Sequence, residues 1–269
     1  RDDFLGQLTA QRQTIAVAGT HGKTTTTAMA AWVWTALGQD PSYIIGGVPA
    51  NLGTNAHAGK GPAFVIEADE YDRMFLGLAP RLAVVTNLEH DHPDCYPQAE
   101  DYYQAFAAFT RRLLPYGVLV ACADDPGAAR LLHEARTVGI QAHAYGLDAG
   151  NLAYRAENLV PDPAGGFAFD MVCSLPGGFE LRPAARLQVP GRHNVLNALA
   201  VLAAAHQLGL SADQAGSALS QFRGTGRRFE VLGEVNGVSA VADLVAGGQR
   251  DSPGVGVVEL PFAVDLAHG

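Results

Sequence analysis

The 269 residues carry 18 Lys and Arg against 27 Asp and Glu, a formal net charge of −9 with no basic block, which argues against a nucleic acid or an anionic membrane as partner. Hydrophobic residues make up 48 % of the chain, enough to bury a core in one large or two small domains and to exclude global disorder. Three widely spaced cysteines (Cys95, Cys122 and Cys173) do not suit a disulfide frame, and neither a signal-peptide pattern nor an apolar run of membrane-spanning length is found, so a reducing, cytoplasmic setting is expected.

Residues 1–12 read as the end of a helix, with Phe4, Leu5 and Leu8 on one face. An apolar strand pattern over 14–18 then runs into Gly19-Thr-His-Gly-Lys-Thr24 and straight into a helical pattern over 24–37. Strand, glycine turn and helix N-terminus in that order make a phosphate-binding loop: inward-turned N–H groups and the helix dipole favour anionic oxygens. Lys23 can reach terminal phosphates and the Thr24 hydroxyl can bind Mg²⁺. The loop departs from G-x-x-x-x-G-K-[ST] in one place, since the position five before Gly22 is Val17. Gly38 ends the helix. Tyr43 to Ile45 is a short strand, followed by a glycine-rich loop over 46–55 that is either functional or a solvated connector.

Two buried-type strands follow, Ala63–Glu67 and Leu82–Asn87. The first ends in Glu67-Ala-Asp-Glu-Tyr-Asp72, the second in Leu88-Glu-His-Asp-His-Pro-Asp94. Both deliver polar groups at their carboxyl ends, the edge at which open α/β sheets bind ligands, so the three strands are expected to converge on one site beside the phosphate loop. Thr24 and Glu67 form the natural oxygen pair for Mg²⁺; His92, a less usual Mg²⁺ ligand, is either a strand-end hydrogen-bonder or, beside Asn87, Asp91 and the phosphate loop, a member of the site.

Helix 98–113 carries Tyr102, Phe106 and Phe109 as a core stripe; Val118–Ala121 is a strand; Asp124-Asp125-Pro126 caps the next helix; and Ile140–Tyr145 is a further strand. From 150 to 190 the texture changes to alternation and turns, which reads as antiparallel hairpins. Pro190-Gly-Arg-His-Asn194 leads an alanine-rich helix to about 208; a second helix covers about 212–222; a basic loop spans 224–228; and two short strands flank Asn236-Gly237 over 229–243. The expected fold is α/β, a P-loop-type, mostly parallel sheet with helices on both faces, plus a small antiparallel hairpin subdomain. No G-x-S-x-G, C-x-x-C or H-E-x-x-H motif points to nucleophilic or zinc chemistry.

Five motifs occur in order: Gly19-Thr-His-Gly-Lys-Thr-Thr-Thr-Thr27, Glu67-Ala-Asp-Glu-Tyr-Asp72, Thr86-Asn-Leu-Glu-His-Asp-His92, Gly191-Arg-His-Asn-Val-Leu-Asn-Ala198 and Arg227-Arg-Phe-Glu230. Together they closely resemble the central ATPase domain of the Mur ligases, over about residues 1–243. His21 narrows the resemblance to the branch that adds L-alanine to UDP-N-acetylmuramate or to the murein-tripeptide recycling branch, and Tyr116-Gly117 with Ala123 to Pro126 favours the former. The resemblance implies a ligase of peptidoglycan-precursor synthesis that uses ATP and Mg²⁺ and forms an acyl phosphate. It implies that Gly19, Thr20, His21, Gly22, Lys23, Thr24, Thr25 and Asn87 surround the nucleotide phosphates, with Lys23, Glu67 and His92 catalytic. Thr24 and Glu67 would hold one Mg²⁺ and His92 a second. His193, Asn194 and Asn197 would contact adenine and ribose, Arg227 or Arg228 the phosphates, and His21 with the 51–55 loop the uridine nucleotide.

Two departures from the family pattern shape the expected domain plan. Residues 1–12 are expected to be the last of an otherwise absent N-terminal domain, 13–243 the central domain, and 244–269 an atypical tail. The family continues after the Asn236-Gly237-Val238 region with an acidic pair and Tyr-Ala-His-His-Pro, where this chain reads Val241-Ala-Asp-Leu-Val-Ala-Gly-Gly248. Nucleotide binding with little or no ligation is therefore expected of the chain by itself. A P-loop kinase or a degenerate nucleotide-binding fragment are the competing readings.

Overall fold

The computed structural model describes residues 2–9, 11–162, 165–174, 180–226, 228–235 and 238–243, with side chains in residues 5–9, 11–162, 165–174 and 180–226. Helix α1 (Asp2–Thr9) precedes strand β1 (Gln13–Ala18), which feeds through the glycine turn into α2 (Lys23–Ala36). Then come β2 (Ser42–Ile44), the two-residue β3 (Ala56–His57), β4 (Ala63–Glu67), a 3-10 turn over Tyr71–Gly77, and β5 (Leu82–Val85). The next units are α3 (Ala99–Thr110), β6 (Val118–Cys122), α4 (Pro126–Thr137) and β7 (Gln141–Gly146). Strands β8 (Tyr154–Pro161), β9 (Phe167–Ser174), β10 (Glu180–Leu181) and β11 (Ala184–Arg186) lead to α5 (Arg192–Gln207) and α6 (Ala212–Leu219). The described part ends with β12 (Arg228–Val235) and β13 (Val238–Asp243).

The chain divides into two compact units, residues 1–224 and 225–269. In the second, the described residues are 225–226 and the antiparallel pair β12–β13. The division falls before the expected end of the central domain at 243. Arg227, the expected turn at Asn236-Gly237, the tail 244–269 and, within the stretch expected to form hairpins, residues 163–164 and 175–179 lie outside the described residues.

The first unit is built on an 11-stranded sheet ordered β10-β9-β8-β7-β6-β5-β1-β4-β2-β3, with β11 on β9. Pairing is parallel from β2 through β4, β1, β5, β6 and β7 to β8. The antiparallel hairpin is not a detached module: β8 adds to β7 in parallel through Tyr145↔Tyr154 and Gly146↔Arg155, so the hairpins extend the same sheet.

Strand residues alternate between two cores. Ile15, Val17, Val65, Val84 and Val120 face one cluster with residues of α2, α5 and α6. Ala16, Ala18, Ile66, Val85 and Ala121 face the other, with residues of α3 and α4. Near-continuous apolar strands covered on both faces are what a parallel sheet requires. Among the described residues no helix is long and apolar enough to cross a membrane, and all three cysteines are free.

The Asp125 side chain illustrates how the carboxyl edge is held. It caps α4 by accepting from Ala128 N–H (2.7 Å), and it also accepts from Leu88 N–H (3.0 Å) in the loop that follows β5. Asp125→Ala removes Oδ1, the one oxygen that accepts both bonds, and leaves two donors to compete for water. The expected loss is about 1–2 kcal/mol, read as a lower thermal midpoint, with Asp125→Asn closer to the parent.

Candidate functional site

The turn after β1 exists because two glycines adopt conformations that other residues avoid. Gly19 has φ 133, and a Cβ there would fall 2.1 Å from Thr86 Oγ1 and 3.0 Å from the Asn87 carbonyl oxygen. Gly22, the N-cap of α2, has φ 82, and its Cβ would fall 2.8 Å from Asn197 Oδ1. Val17, at the position where the longer motif has glycine, is a fully buried strand residue.

The loop after β5 braces the turn. The Asn87 carbonyl accepts from Thr20 N–H (3.1 Å), and Asn87 Oδ1 accepts from His21 N–H (2.8 Å). The Thr86 hydroxyl donates to the His21 carbonyl (2.6 Å), and the Thr20 hydroxyl donates to the Glu89 carbonyl (2.8 Å). The His21 ring is exposed, 3.6 Å from Glu89. Thr25 follows on α2, half-buried.

Two polar pairs stand at this edge. In the first, the Thr24 hydroxyl donates to Glu67 Oε1 (2.9 Å), and Glu67 Oε2 accepts from Gly46 N–H (2.6 Å). The second is centred on Glu70, which is 1 % exposed. Glu70 Oε1 accepts from Lys23 Nζ (2.8 Å) and from the Tyr102 hydroxyl (3.3 Å), with His92 Nε2 3.6 Å away. Lys23 also donates to the carbonyls of Gly19 (2.5 Å) and Thr20 (3.2 Å), so it folds back over the turn. Tyr96 donates to the Glu70 carbonyl (2.5 Å). Burial pushes the Tyr96 hydroxyl up to about 12 and the Tyr102 hydroxyl higher still, so both remain donors at neutral pH.

Glu70 Oε2 is buried and has no hydrogen-bond partner among the described residues. A carboxylate oxygen left bare in the interior calls for a cation. Mg²⁺ takes hard oxygen ligands, usually one or two carboxylates completed by phosphate oxygens and water. Thr24 with Glu67, and Glu70 with the neighbouring His92, therefore fit that ion. Among the described residues no three His, Cys, Asp or Glu side chains converge as a cage; Mg²⁺ held through one or two carboxylates takes the rest of its shell from water or phosphate oxygens.

The start of α5 lies against the glycine turn through Asn197, in the helix's second turn. Asn197 Nδ2 donates to Asn194 Oδ1 (3.2 Å), and Asn194 Nδ2 donates to the Pro190 carbonyl (2.6 Å). Both asparagines are 6 % exposed, whereas His193 is exposed. In this structure Asn194 and Asn197 thus shape the wall behind Gly22, and His193 is the one that presents to solvent. The 46–55 loop is pinned by Asn51, whose Nδ2 donates to the Gln221 carbonyl (2.7 Å) and whose Oδ1 accepts from Arg223 N–H (2.8 Å). Arg228 opens β12 in the second unit.

Sequence reasoning missed Glu70. It sits three residues beyond the end of β4, outside any periodic pattern. The only cue was its place in the acidic run 67–72, which by itself reads equally well as a solvated loop. Tyr102 was read as core alone, yet its hydroxyl also reaches Thr20 (2.9 Å).

A glycine turn, lysine and threonine at the carboxyl edge of a doubly wound parallel sheet place the molecule among P-loop α/β domains. The Mur ligase middle domain matches residues 17–205, and the chain belongs to the Mur ligase family. A UDP-N-acetylmuramate–L-alanine ligase of Frankia alni is 45 % identical over 236 residues, covering 87 % of this chain and 40 % of that protein. The crystal structure of the UDP-N-acetylmuramate–alanine ligase of Thermotoga maritima superposes with a TM-score of 0.74 at 30 % identity, covering 90 % of this chain and 53 % of that one. A UDP-N-acetylmuramate:L-alanyl-γ-D-glutamyl-meso-diaminopimelate ligase of Neisseria meningitides superposes with a TM-score of 0.72 at 31 % identity, covering 84 % and 71 %. The chain spans about half the length of the curated relatives it matches, from 40 % to 53 %.

Proposed function

We propose that this chain is the ATP-handling part of a cytoplasmic ligase that joins L-alanine to UDP-N-acetylmuramate in peptidoglycan-precursor synthesis. The observation that carries the reading is the pairing of Lys23 with buried Glu70 beside Thr24–Glu67, at the mouth of a phosphate loop. Identity of 45 % to a curated alanine-adding relative favours L-alanine as the amine over the tripeptide of the recycling ligase.

ATP meets the site with its phosphates on the N–H groups of the turn and the N-terminus of α2. Lys23 leaves the Gly19 and Thr20 carbonyls for the β- and γ-phosphates. Thr24 with Glu67, and Glu70 with His92, would hold Mg²⁺, which would supply charge neutralisation to the phosphate oxygens. The acceptor carboxylate attacks the γ-phosphorus; an O–P bond forms, the bond to ADP breaks, and an acyl phosphate results. The amine of alanine then attacks the acyl carbon, loses a proton and expels phosphate. Both partners of the first step are anions, so alignment and positive charge are what the protein must supply. His193 stands on the base side of the nucleotide, and Asn194 and Asn197 fix the helix that carries it.

Calorimetric titration of ATP with and without Mg²⁺ tests the reading. Mg²⁺ is expected to tighten binding about 10-fold or more, on the scale of one charge-assisted contact. Glu67→Gln is expected to lose that increment and keep its Mg²⁺-free affinity. No ATP binding by the parent would dismiss the site. On the complete enzyme, phosphate release that needs both UDP-N-acetylmuramate and L-alanine separates ligation from simple phosphate transfer to an acceptor.

A further inference from the structure

Two loops that meet at the phosphate site are tied together by a residue that the reaction scheme above does not use. Tyr71 follows Glu70 directly, on the loop after β4; His92 lies on the loop after β5. The two rings pack edge to face, with centroids 5.1 Å apart and planes at 78°. Tyr71 is fixed at both ends. Its N–H donates to Asp69 Oδ1 (3.0 Å), and its hydroxyl donates to Asp94 Oδ2 (2.9 Å), two residues beyond His92.

His92 needs such a support. Its backbone is left-handed, φ 55, a conformation that a histidine holds only when its surroundings impose it. The His92 carbonyl accepts from the N–H groups of Cys95 (2.9 Å) and Tyr96 (2.8 Å), and its own N–H donates to Asp91 Oδ1 (2.7 Å), which secures the main chain. The imidazole is less constrained. Nε2 lies 3.6 Å from Glu70 Oε1 and 3.7 Å from Asp91 Oδ2, two carboxylates competing for one nitrogen. The ring of Tyr71 blocks one side of the imidazole and leaves it aimed into the site. Burial does not account for a tyrosine at this place, because Tyr71 is 43 % exposed.

We propose that Tyr71, tethered by Asp94, is the positioning residue that sets the orientation of the His92 imidazole for the phosphate-transfer step. The inference rests on the proposed role of His92 and goes beyond it by assigning the pair that aims it. Tyr71 does not touch the reacting atoms; it acts through His92.

The test uses Tyr71→Phe, which removes only the tether, Tyr71→Ala, which removes the ring as well, Asp94→Ala, and His92→Ala as reference. The first readout is the ring ¹³C–¹H signal of His92 in histidine-labelled, metal-free protein. A single sharp signal is expected in the parent, with broadening or doubling in Tyr71→Ala and Asp94→Ala. The second is kinetics on the complete enzyme. Tyr71→Ala is expected to lower kcat about 10-fold and to raise the Mg²⁺ requirement, with the KM for ATP unchanged, as small misplacements of an aligned group do. Tyr71→Phe is expected to lie between parent and Tyr71→Ala, and it carries the test if Tyr71→Ala does not fold. A parent-like rate in His92→Ala would overturn the role of His92 itself. A large loss in His92→Ala beside parent-like signals and rates in both Tyr71 variants would overturn the positioning role alone.

Discussion

Lys23→Ala is expected to weaken ATP binding on the order of 100-fold, the equivalent of about 2–3 kcal/mol for a lost charge-assisted contact, and to destabilise the free protein as well. The second effect follows from Glu70. Its carboxylate is 1 % exposed, and Lys23, 14 % exposed, is the cation paired with it at 2.8 Å. Removing one partner of a buried pair leaves the other charge without compensation, at a cost of about 3–5 kcal/mol. The neighbouring Tyr102 hydroxyl and half-buried His92 soften that cost, so about 3 kcal/mol is the expectation. The two effects separate in the double variant. Lys23→Ala with Glu70→Gln removes the stranded charge, so stability should return towards the parent value while ATP affinity stays low. Chemical denaturation and calorimetry on the three variants read both quantities. Full stability in the single variant would mean that Lys23 and Glu70 are not coupled in the free protein.

The same pair marks where the sequence was legible and where it was not. The run from β1 through Gly19, Gly22 and Lys23 into α2 was readable because every cue is local: a short apolar strand, two glycines and a helix with no break until Gly38. Strands β4 and β5 were equally plain, and so was the convergence of their carboxyl ends, because parallel α/β topology dictates which edge collects the ligand groups. Asp125 as a cap could be read from its place before Pro126. The misses share a long-range cause. Glu70 becomes a site residue only because the 3-10 turn folds it back under Lys23, and neither glycine, proline nor periodicity announces that turn. The antiparallel hairpins themselves were legible; only their junction with the sheet was not, because it depends on one short parallel pairing, Tyr145 with Tyr154 and Gly146 with Arg155. Asn194 and Asn197 could be placed on a helix start, but whether they face a nucleotide or a neighbouring loop depends on where Gly22 lands.

Phe75→Ala is expected to destabilise the protein about as much as Lys23→Ala, by about 3 kcal/mol. Phe75 is fully buried on the 3-10 turn, stacked on Phe109 (centroids 4.7 Å, planes at 7°) and edge-on to Phe106 (5.2 Å, 77°). That aromatic group is what holds the turn. Just before it, Asp72 (φ 51) and Arg73 (φ 56) take left-handed backbone conformations, which cost on the order of 1 kcal/mol or more each. The Phe75 N–H closes the turn by donating to the Asp69 carbonyl (3.0 Å). Truncating a buried phenylalanine typically costs about 3–5 kcal/mol. Here the value should lie at the lower end, because Phe75 also lines an open groove of about 590 Å³ with Leu5, Ile44, Ile66 and Leu78, into which the site can relax. The loss does not stay in the core. Once the turn loosens, Glu70 and Tyr71 lose their seats opposite Lys23 and His92, so the Mg²⁺-dependent part of ATP binding should fall with stability. Phe75→Leu, which keeps most of the volume, should cost less than half as much and retain the Mg²⁺ increment. Denaturant midpoints for the two variants, with Mg²⁺-dependent ATP titrations beside them, measure both. If Phe75→Ala lost stability and still bound Mg²⁺–ATP as the parent does, Glu70 would have to be held by Lys23 and the two tyrosines, Tyr96 and Tyr102, without help from the turn.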